Sequence, residues 1–352
     1  MLKTGIVRDN RYLNHVTGDY HPESHHRLEV IYKMLEDEDI KGKFVEIIPR
    51  FATRKELEDV HLKDYVSKVA ATEGKPMVML DGDTQTSPKS WEAAQLAAGG
   101  FLELIDSLMK KDIDNGFALV RPPGHHAEHD RGMGFCLFNN VAIGAKYAMA
   151  KYNLERILII DWDLHQGNST QHVFYDDPKV LYFSTHQFPY YPGTGSFEET
   201  GRGEGEGYTI NVPLPPGQGD NEYEKIYLEI LKPVTLEFMP QLILVSSGFD
   251  IYFKDPLGGM KVTPDGFAKM TKIIMELANR VCEGKALFIL EGGYDLEGLK
   301  DSVKKALFEL SGLSDLFNGE SVLDEHIDSS RADSIIEKVK TAHRDFWGSL
   351  SL

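Results

Sequence analysis

The residues with the most chemical potential stand directly after apolar runs. Ile157–Ile160 leads into Asp161-Trp162-Asp163-Leu164-His165, and Leu242–Val245 leads into Ser246-Ser247-Gly248-Phe249-Asp250. Asp163 and His165 are two apart, so on extended backbone both side chains leave on the same side. With Asp250 they make a set of two carboxylates and one imidazole, which leaves open the coordination position that a catalytic Zn²⁺ uses. A lone Asp at a strand end reads better as a cap or a structural hydrogen bond. Three such residues at strand ends favour an ion.

His125-His126 follows Pro122-Pro123-Gly124, a turn stiff at the prolines and permissive at the glycine, so the backbone can present both imidazoles at unusual angles. An acid–base pair fits this arrangement; a chance loop pair or a hydrogen-bond network fits it equally well. After Ala286–Leu290 and Glu291, Gly292-Gly293-Tyr294 presents a phenol able to donate to an oxyanion, or simply to plug the top of a sheet. The glycine-rich stretch Gly201–Gly207 precedes a strand and carries Glu204 and Glu206, so it reads as a surface loop, not a phosphate cradle.

The elements that must position these residues are short β-branched runs alternating with amphipathic segments, the pattern of a parallel sheet covered by helices on both faces. The class is α/β. The sequence predicts strands over Phe44–Pro49, Phe117–Val120, Ile157–Asp161, Val180–Ser184, Thr209–Val212, Leu242–Ser246 and Ala286–Leu290. Helices are predicted over His25–Glu36, Trp91–Leu108, Val141–Lys151, Asn221–Phe238, Gly266–Cys282 and Leu296–Leu310. Four of these strands are followed at once by the polar residues above, and the carboxyl ends of parallel strands are where ligands bind. With no Pro/Ser-rich linker and no repeat, one domain over 1–352 is expected: a motif-bearing core over about 15–312 and a polar tail over about 313–352 with an amphipathic stretch at Ala332–Phe346.

Charge and cysteine usage narrow the function. With 38 Lys+Arg against 55 Asp+Glu the formal charge is −17, which argues against nucleic acid and anionic lipid as partners. An acidic surface suits a cationic substrate, and it suits solubility alone. Cys136 and Cys282 each sit in an apolar stretch, as buried thiols in a reducing compartment do, so a cytoplasmic protein is expected. Met1–Asn10 lacks the basic-then-apolar pattern of a signal peptide, and no apolar run reaches the roughly 20 residues that span a bilayer.

Six stretches together resemble the histone deacetylase superfamily: Pro122–Ala127, Gly134–Asn140, Asp161–Gly167, Pro192–Gly195, Gly248–Asp250 and Glu291–Tyr294. The resemblance runs in consistent order from His21-Pro22-Glu23 to Tyr294, in a form similar to the class II and the prokaryotic acetylpolyamine amidohydrolase and acetoin-utilisation branches. It implies an arginase/deacetylase-like three-layer fold with a parallel sheet of about eight strands. It implies that Asp163, His165 and Asp250 ligate the metal, with Zn²⁺ first and Fe²⁺ or Co²⁺ as alternatives. His125 and His126 then handle protons, oriented by Asp161 and Asn168 respectively, and Tyr294 shares the substrate carbonyl oxygen with the metal. Because a neutral amide stabilises imidazolium less than a carboxylate does, His126 is expected to be the less basic. A structural K⁺ is implied at Asp161, Asp163, His165, Ser184 and Thr185. Gly134, Phe135, Tyr191, Leu257 and Asp83 are implied to line the acyl-lysine tunnel. Gly167 stands where binuclear arginase-type relatives carry another Asp, which disfavours a second metal.

The resemblance therefore implies, as an expectation, a metal-dependent deacetylase acting on acetylated lysine in a peptide or protein. A second reading changes the substrate to an acetylpolyamine or another small acylated amine, although Leu257 replaces the acidic gatekeeper of the polyamine-selective relatives. A third is a non-catalytic acetyl-lysine-binding protein, opposed by the intact ligand set and Tyr294. Self-association is an expectation from the resembling prokaryotic enzymes.

Overall fold

The computed structural model describes residues 2–18, 20–314, 321–323, 325, 327 and 329–351, so the stretch 315–320 of the polar tail lies outside the described residues. Among the described residues ten strands follow in chain order: β1 Thr4–Val7, β2 Val45–Ile47, β3 Val78–Met79, β4 Gln85–Thr86, β5 Asn115–Ala118, β6 Ile157–Asp161, β7 Val180–Gln187, β8 Thr209–Leu214, β9 Leu242–Ser247 and β10 Ala286–Leu290. β3 and β4 form a small antiparallel pair. The other eight make one sheet in the order β2-β1-β5-β10-β9-β6-β7-β8, with every pairing parallel.

Strands β5, β6, β9 and β10 are buried along their whole length. Successive side chains face opposite ways, so complete burial requires cover on both faces of the sheet. Two packed helix groups supply it: Ser90–Met109 with Asn140–Tyr152, and His26–Met34 with Pro264–Val281 and Leu296–Ser311. This is the arginase/deacetylase-like α/β fold expected from the sequence.

The predicted β6 and β10 agree with the structure to the residue, and the remaining predicted strands and helices differ at their ends, except the helix predicted over Asn221–Phe238, which differs within. The first strand, β1, was not foreseen. Its Thr-Gly-Ile-Val run is short, and a Cβ on Gly5 would lie 2.6 Å from Ile113 Cδ1, so a larger residue there would push that side chain aside. The predicted helix Asn221–Phe238 is present as Asp220–Ile226 and Lys232–Phe238 joined by a π turn over Tyr227–Leu231. Pro233 explains the wide turn, since it has no N–H and its ring crowds the carbonyl of the preceding turn. The amphipathic stretch near the C-terminus is the helix Asp333–His343, which packs Ile336 and Val339 inward beside edge strand β8.

The sheet order has a direct consequence for the site. The strands whose carboxyl ends carry the chemical motifs are β5, β10, β9 and β6, four consecutive neighbours at the centre of the sheet. Residues distant in sequence are therefore delivered to one crevice.

Candidate metal centre and acid–base site

Asp163, His165 and Asp250 each offer a ligand atom, and these atoms lie within 4.8 Å of one another. His165 Nδ1 is 3.2 Å from Asp163 Oδ1 and 3.2 Å from Asp250 Oδ2. All three residues are buried. The carboxylates are aimed by backbone: Asp163 Oδ1 accepts from the His165 N–H at 2.9 Å, Asp163 Oδ2 from the Gly292 N–H at 2.8 Å, and Asp250 Oδ1 from the Leu164 N–H at 2.9 Å. Glycine is needed at two points of closest approach. A Cβ on Gly248 would stand 2.1 Å from Asp163 Oδ2, and one on Gly292 would stand 2.3 Å from Asp250 Oδ2.

Electrostatics point to a cation among these groups. Burial opposes charge on His165, yet Asp163 and Asp250 outweigh it and carry the imidazole up to about 9. Burial and the neighbouring Asp163 push Asp250 up to about 7. His165 and Asp250 thus hold on to protons that a divalent ion would displace, while Asp163, against its burial, is held ionised by the imidazoles of His125 and His165. Two carboxylates and one imidazole fit Zn²⁺, and also Fe²⁺ or Co²⁺.

His125 and His126 stand beside this cluster with ring centroids 4.0 Å apart. His125 Nδ1 is 3.1 Å from Asp161 Oδ2, and His126 Nδ1 is 2.7 Å from Asn168 Oδ1, so each ring has the partner that the sequence comparison implied. Burial works against a charged His125, but Asp163, Asp161 and Glu291 prevail and raise it to about 10. His126 is held well below the usual imidazole range by burial, then by the charges of His125 and His165. The order of basicity is as expected, for a different reason: the bond to Asn168 favours the charged form and is overwhelmed.

A narrow cavity of about 90 Å³ leads to these groups, lined by Asp83, His126, Gly134, Phe135, His165, Tyr191, Leu257 and Tyr294. Every tunnel residue named from the sequence thus faces one space. Gly134 and Phe135 both have positive φ, and a Cβ on Gly134 would meet His126 Cδ2 at 2.4 Å. Asp83 and Thr84 hold that unfavourable turn by accepting from the Gly134 N–H at 3.2 Å and the Phe135 N–H at 2.9 Å. The Tyr294 ring stands edge-on to Phe135 at 5.9 Å.

Several supporting residues were assigned no role from the sequence. Glu291 Oε2 accepts from the Gly124 N–H at 2.6 Å and the His125 N–H at 3.2 Å, which fixes the turn that carries both histidines. Asp255 accepts from the N–H of Tyr294 at 2.6 Å, of Asp295 at 3.2 Å and of Leu257 at 3.0 Å, tying the phenol turn to the cavity wall. Arg27 donates to the carbonyls of Gly293 at 2.6 Å and Glu291 at 2.5 Å. Glu23 is buried between Arg27 and Arg121; burial opposes its ionisation, but Arg121 holds it down at about 2. The signal that could have found them is charge inside apolar surroundings, which needs a partner to persist.

The groups implied for K⁺ are buried where β6 ends beside the middle of β7, with Asp161 opposite Ser184 in register. The Ser184 hydroxyl is 2.9 Å from His186 Nδ1. At Gly167 a Cβ would stand 2.3 Å from Asp161 Oδ2, so there is no room for the second-metal carboxylate of binuclear relatives.

A central parallel sheet with its chemistry gathered beyond four adjacent strand ends defines the α/β class that binds ligands in the crevice at the carboxyl edge. Within that class, the chain belongs to the histone deacetylase family: residues 21–310 match the family model described as the histone deacetylase domain. It is 40% identical over 360 residues to a protein of Archaeoglobus fulgidus named as a probable deacetylase, covering 98% of this chain and 99% of that one. It is 38% identical to a polyamine deacetylase of Danio rerio, covering 92% of this chain and 48% of that one. Among solved structures, the HDA15 HD domain superposes with a TM-score of 0.91 at 36% identity, covering 99% of this chain and 96% of that one.

Proposed function

We propose that this deacetylase-family hydrolase removes acetyl groups from acetylated lysine side chains of peptides or proteins, using one divalent metal ion. The observation that carries the reading is the convergence of Asp163, His165 and Asp250 beside His126 and Tyr294 at one small cavity. A volume of about 90 Å³ corresponds to about three water molecules at their share of liquid volume, which suits an acetyl group on a slender stem. A divalent ion held by the three ligands, Zn²⁺ first, supplies an acidified water and a polarised carbonyl.

The remaining work belongs to the chain's own residues. The histidine pair takes a proton from water and delivers one to the departing amine, with Asp161 and Asn168 fixing the rings. The Tyr294 hydroxyl donates toward the carbonyl oxygen as negative charge develops there. Phe135, Tyr191 and Leu257 exclude water from the stem of the substrate, and Asp83 at the rim accepts N–H or ammonium groups. K⁺ between the end of β6 and Ser184 and Thr185 of β7 is a structural partner in this proposal. Buried, unpaired Cys136 and Cys282 suit a reducing cytoplasm, and self-association is part of the same proposal.

A second substrate class, small acylated polyamines, is favoured by the similarity to the zebrafish polyamine deacetylase. Leu257 in the cavity wall opposes it by offering no charge to a distant ammonium. The test is acetate release from acetyl-lysine peptides and acetylspermidine with defined metals, run beside Asp250→Ala. The peptides are expected to give the higher kcat/KM, and the variant to lose metal and turnover together. A strong preference for acetylspermidine would transfer the substrate to the second class, and full metal occupancy in Asp250→Ala would remove that ligand.

A further inference from the structure

We infer that Glu128 is a positioning residue that fixes the tautomer of His126 through the Asn168 amide, an inference that rests on the acid–base reading of the histidine pair. His125 has a carboxylate directly on its Nδ1, whereas His126 has only a neutral amide there. An amide can present either its oxygen or its NH₂, and these demand opposite tautomers of the ring it faces. Asn168 is constrained from behind. Its Nδ2 donates to Glu128 Oε1, with longer contacts to the His126 carbonyl at 3.4 Å and Met133 Sδ at 3.7 Å.

With Nδ2 committed to a carboxylate, Oδ1 turns to His126, so the ring carries its hydrogen on Nδ1 and leaves Nε2 as the unprotonated nitrogen. Glu128 is itself only 5% exposed, and it is gripped from outside by His172 Nδ1 at 2.9 Å. Asn168 and His172 lie four apart in the helix Asn168–Phe174, so both reach the same carboxylate from one face. Burial disfavours the charged form of Glu128, but the bond to His172 and its charge, with the Asn168 bond and the Arg131 charge, together outweigh it and keep the carboxylate ionised. Glu128 does not line the cavity. The chain His126–Asn168–Glu128–His172 therefore places a negative charge one amide away from the second histidine.

The test uses the metal-loaded full chain and two readouts, turnover and the ¹⁵N ring shifts of His126 assigned with a His126→Gln variant. Glu128→Leu removes the acceptor. It is expected to lower kcat about 10- to 100-fold with KM nearly unchanged, as loss of an outer partner of a site does, and to abolish the single Nδ1–H tautomer. Glu128→Gln keeps an oxygen for Asn168 and is expected to retain that tautomer. Asn168→Asp sets two carboxylates face to face and should lose activity, whereas Asn168→Asp with Glu128→Gln restores a donor–acceptor pair and should recover it.

A wild-type tautomer and kcat in Glu128→Leu, or simple addition of losses in the double variant, would overturn the inference. If the wild-type chain released no acetate while its tautomer responded as described, the positioning would stand and the hydrolase reading would fail.

Discussion

A phenol assists amide hydrolysis only if its hydroxyl is held still, and Tyr294 is held from several sides. Its N–H is bound by Asp255 at 2.6 Å, the Arg27 guanidinium lies 5.1 Å from its ring centre, and Phe135 meets it edge-on. Burial, with Asp250 nearby, pushes the phenol well above its usual range, so it stays protonated and able to donate. Tyr294→Phe is expected to lower kcat by about 10²–10³, the cost of one oxyanion donor, with metal content and melting temperature unchanged. Steady-state kinetics with elemental analysis checks this, and unaltered turnover would take Tyr294 out of the chemistry. Asp163, His165, Asp250, the histidine pair and Tyr294 were conspicuous by type and by their place after apolar runs and a Pro-Pro-Gly turn, whereas Gly134, Phe135, Tyr191, Leu257 and Asp83 came from the family resemblance alone. Their supports were less conspicuous. Nothing in the local sequence says that Glu23 lies between Arg27 and Arg121, or that Asp255 reaches the N–H of a residue 39 positions away.

At the scale of elements, the long buried strands declared themselves by composition, and β6 and β10 end where the sequence reading placed them. The strand order did not. Only the fold reveals that β5, β10, β9 and β6 are neighbours and that their following loops meet. Short elements such as β1, β3 and β4 were missed because a few residues carry no periodicity to read. The loops between strand end and site are tight, and their glycines are there to admit carboxylates. Gly248→Ala would press a methyl carbon to 2.1 Å from Asp163 Oδ2 and 2.6 Å from Asp163 Cα, and the backbone of residue 163 is part of the obstruction. The variant is expected to keep its far-ultraviolet circular dichroism and to bind Zn²⁺ at least 10-fold more weakly, in line with loss of ligand support. A competition titration with a chelating dye measures this, and wild-type affinity would mean that the close approach has no role in shaping the site.

For the whole molecule, burying two carboxylates and several imidazoles in one crevice costs stability unless charges compensate, so metal and protons compete to stabilise the same fold. In the metal-free protein His165 rises from 6.5 to about 9, and the stability this contributes is complete below 6.5 and lost as pH climbs through about 9. Asp250 rises from 3.8 to about 7, so its contribution is complete below 3.8 and lost as pH climbs through about 7. Asp163 is lowered instead, and its contribution fades only on acidification below the usual carboxylate range. Between pH 6 and 8 the metal-free chain therefore loses stability at this site, while a bound divalent ion replaces the departing protons. At a hundredfold excess over Kd, metal binding contributes about 2.7 kcal/mol. For 352 residues with about 2.1 cal/mol/K of unfolding entropy each, this is about 4 °C in melting temperature. Calorimetry with and without chelator at a fixed metal concentration should show that gap widening from pH 6 to pH 8, with protons released on binding. A gap that stayed constant or narrowed would mean that the ion binds elsewhere than among Asp163, His165 and Asp250.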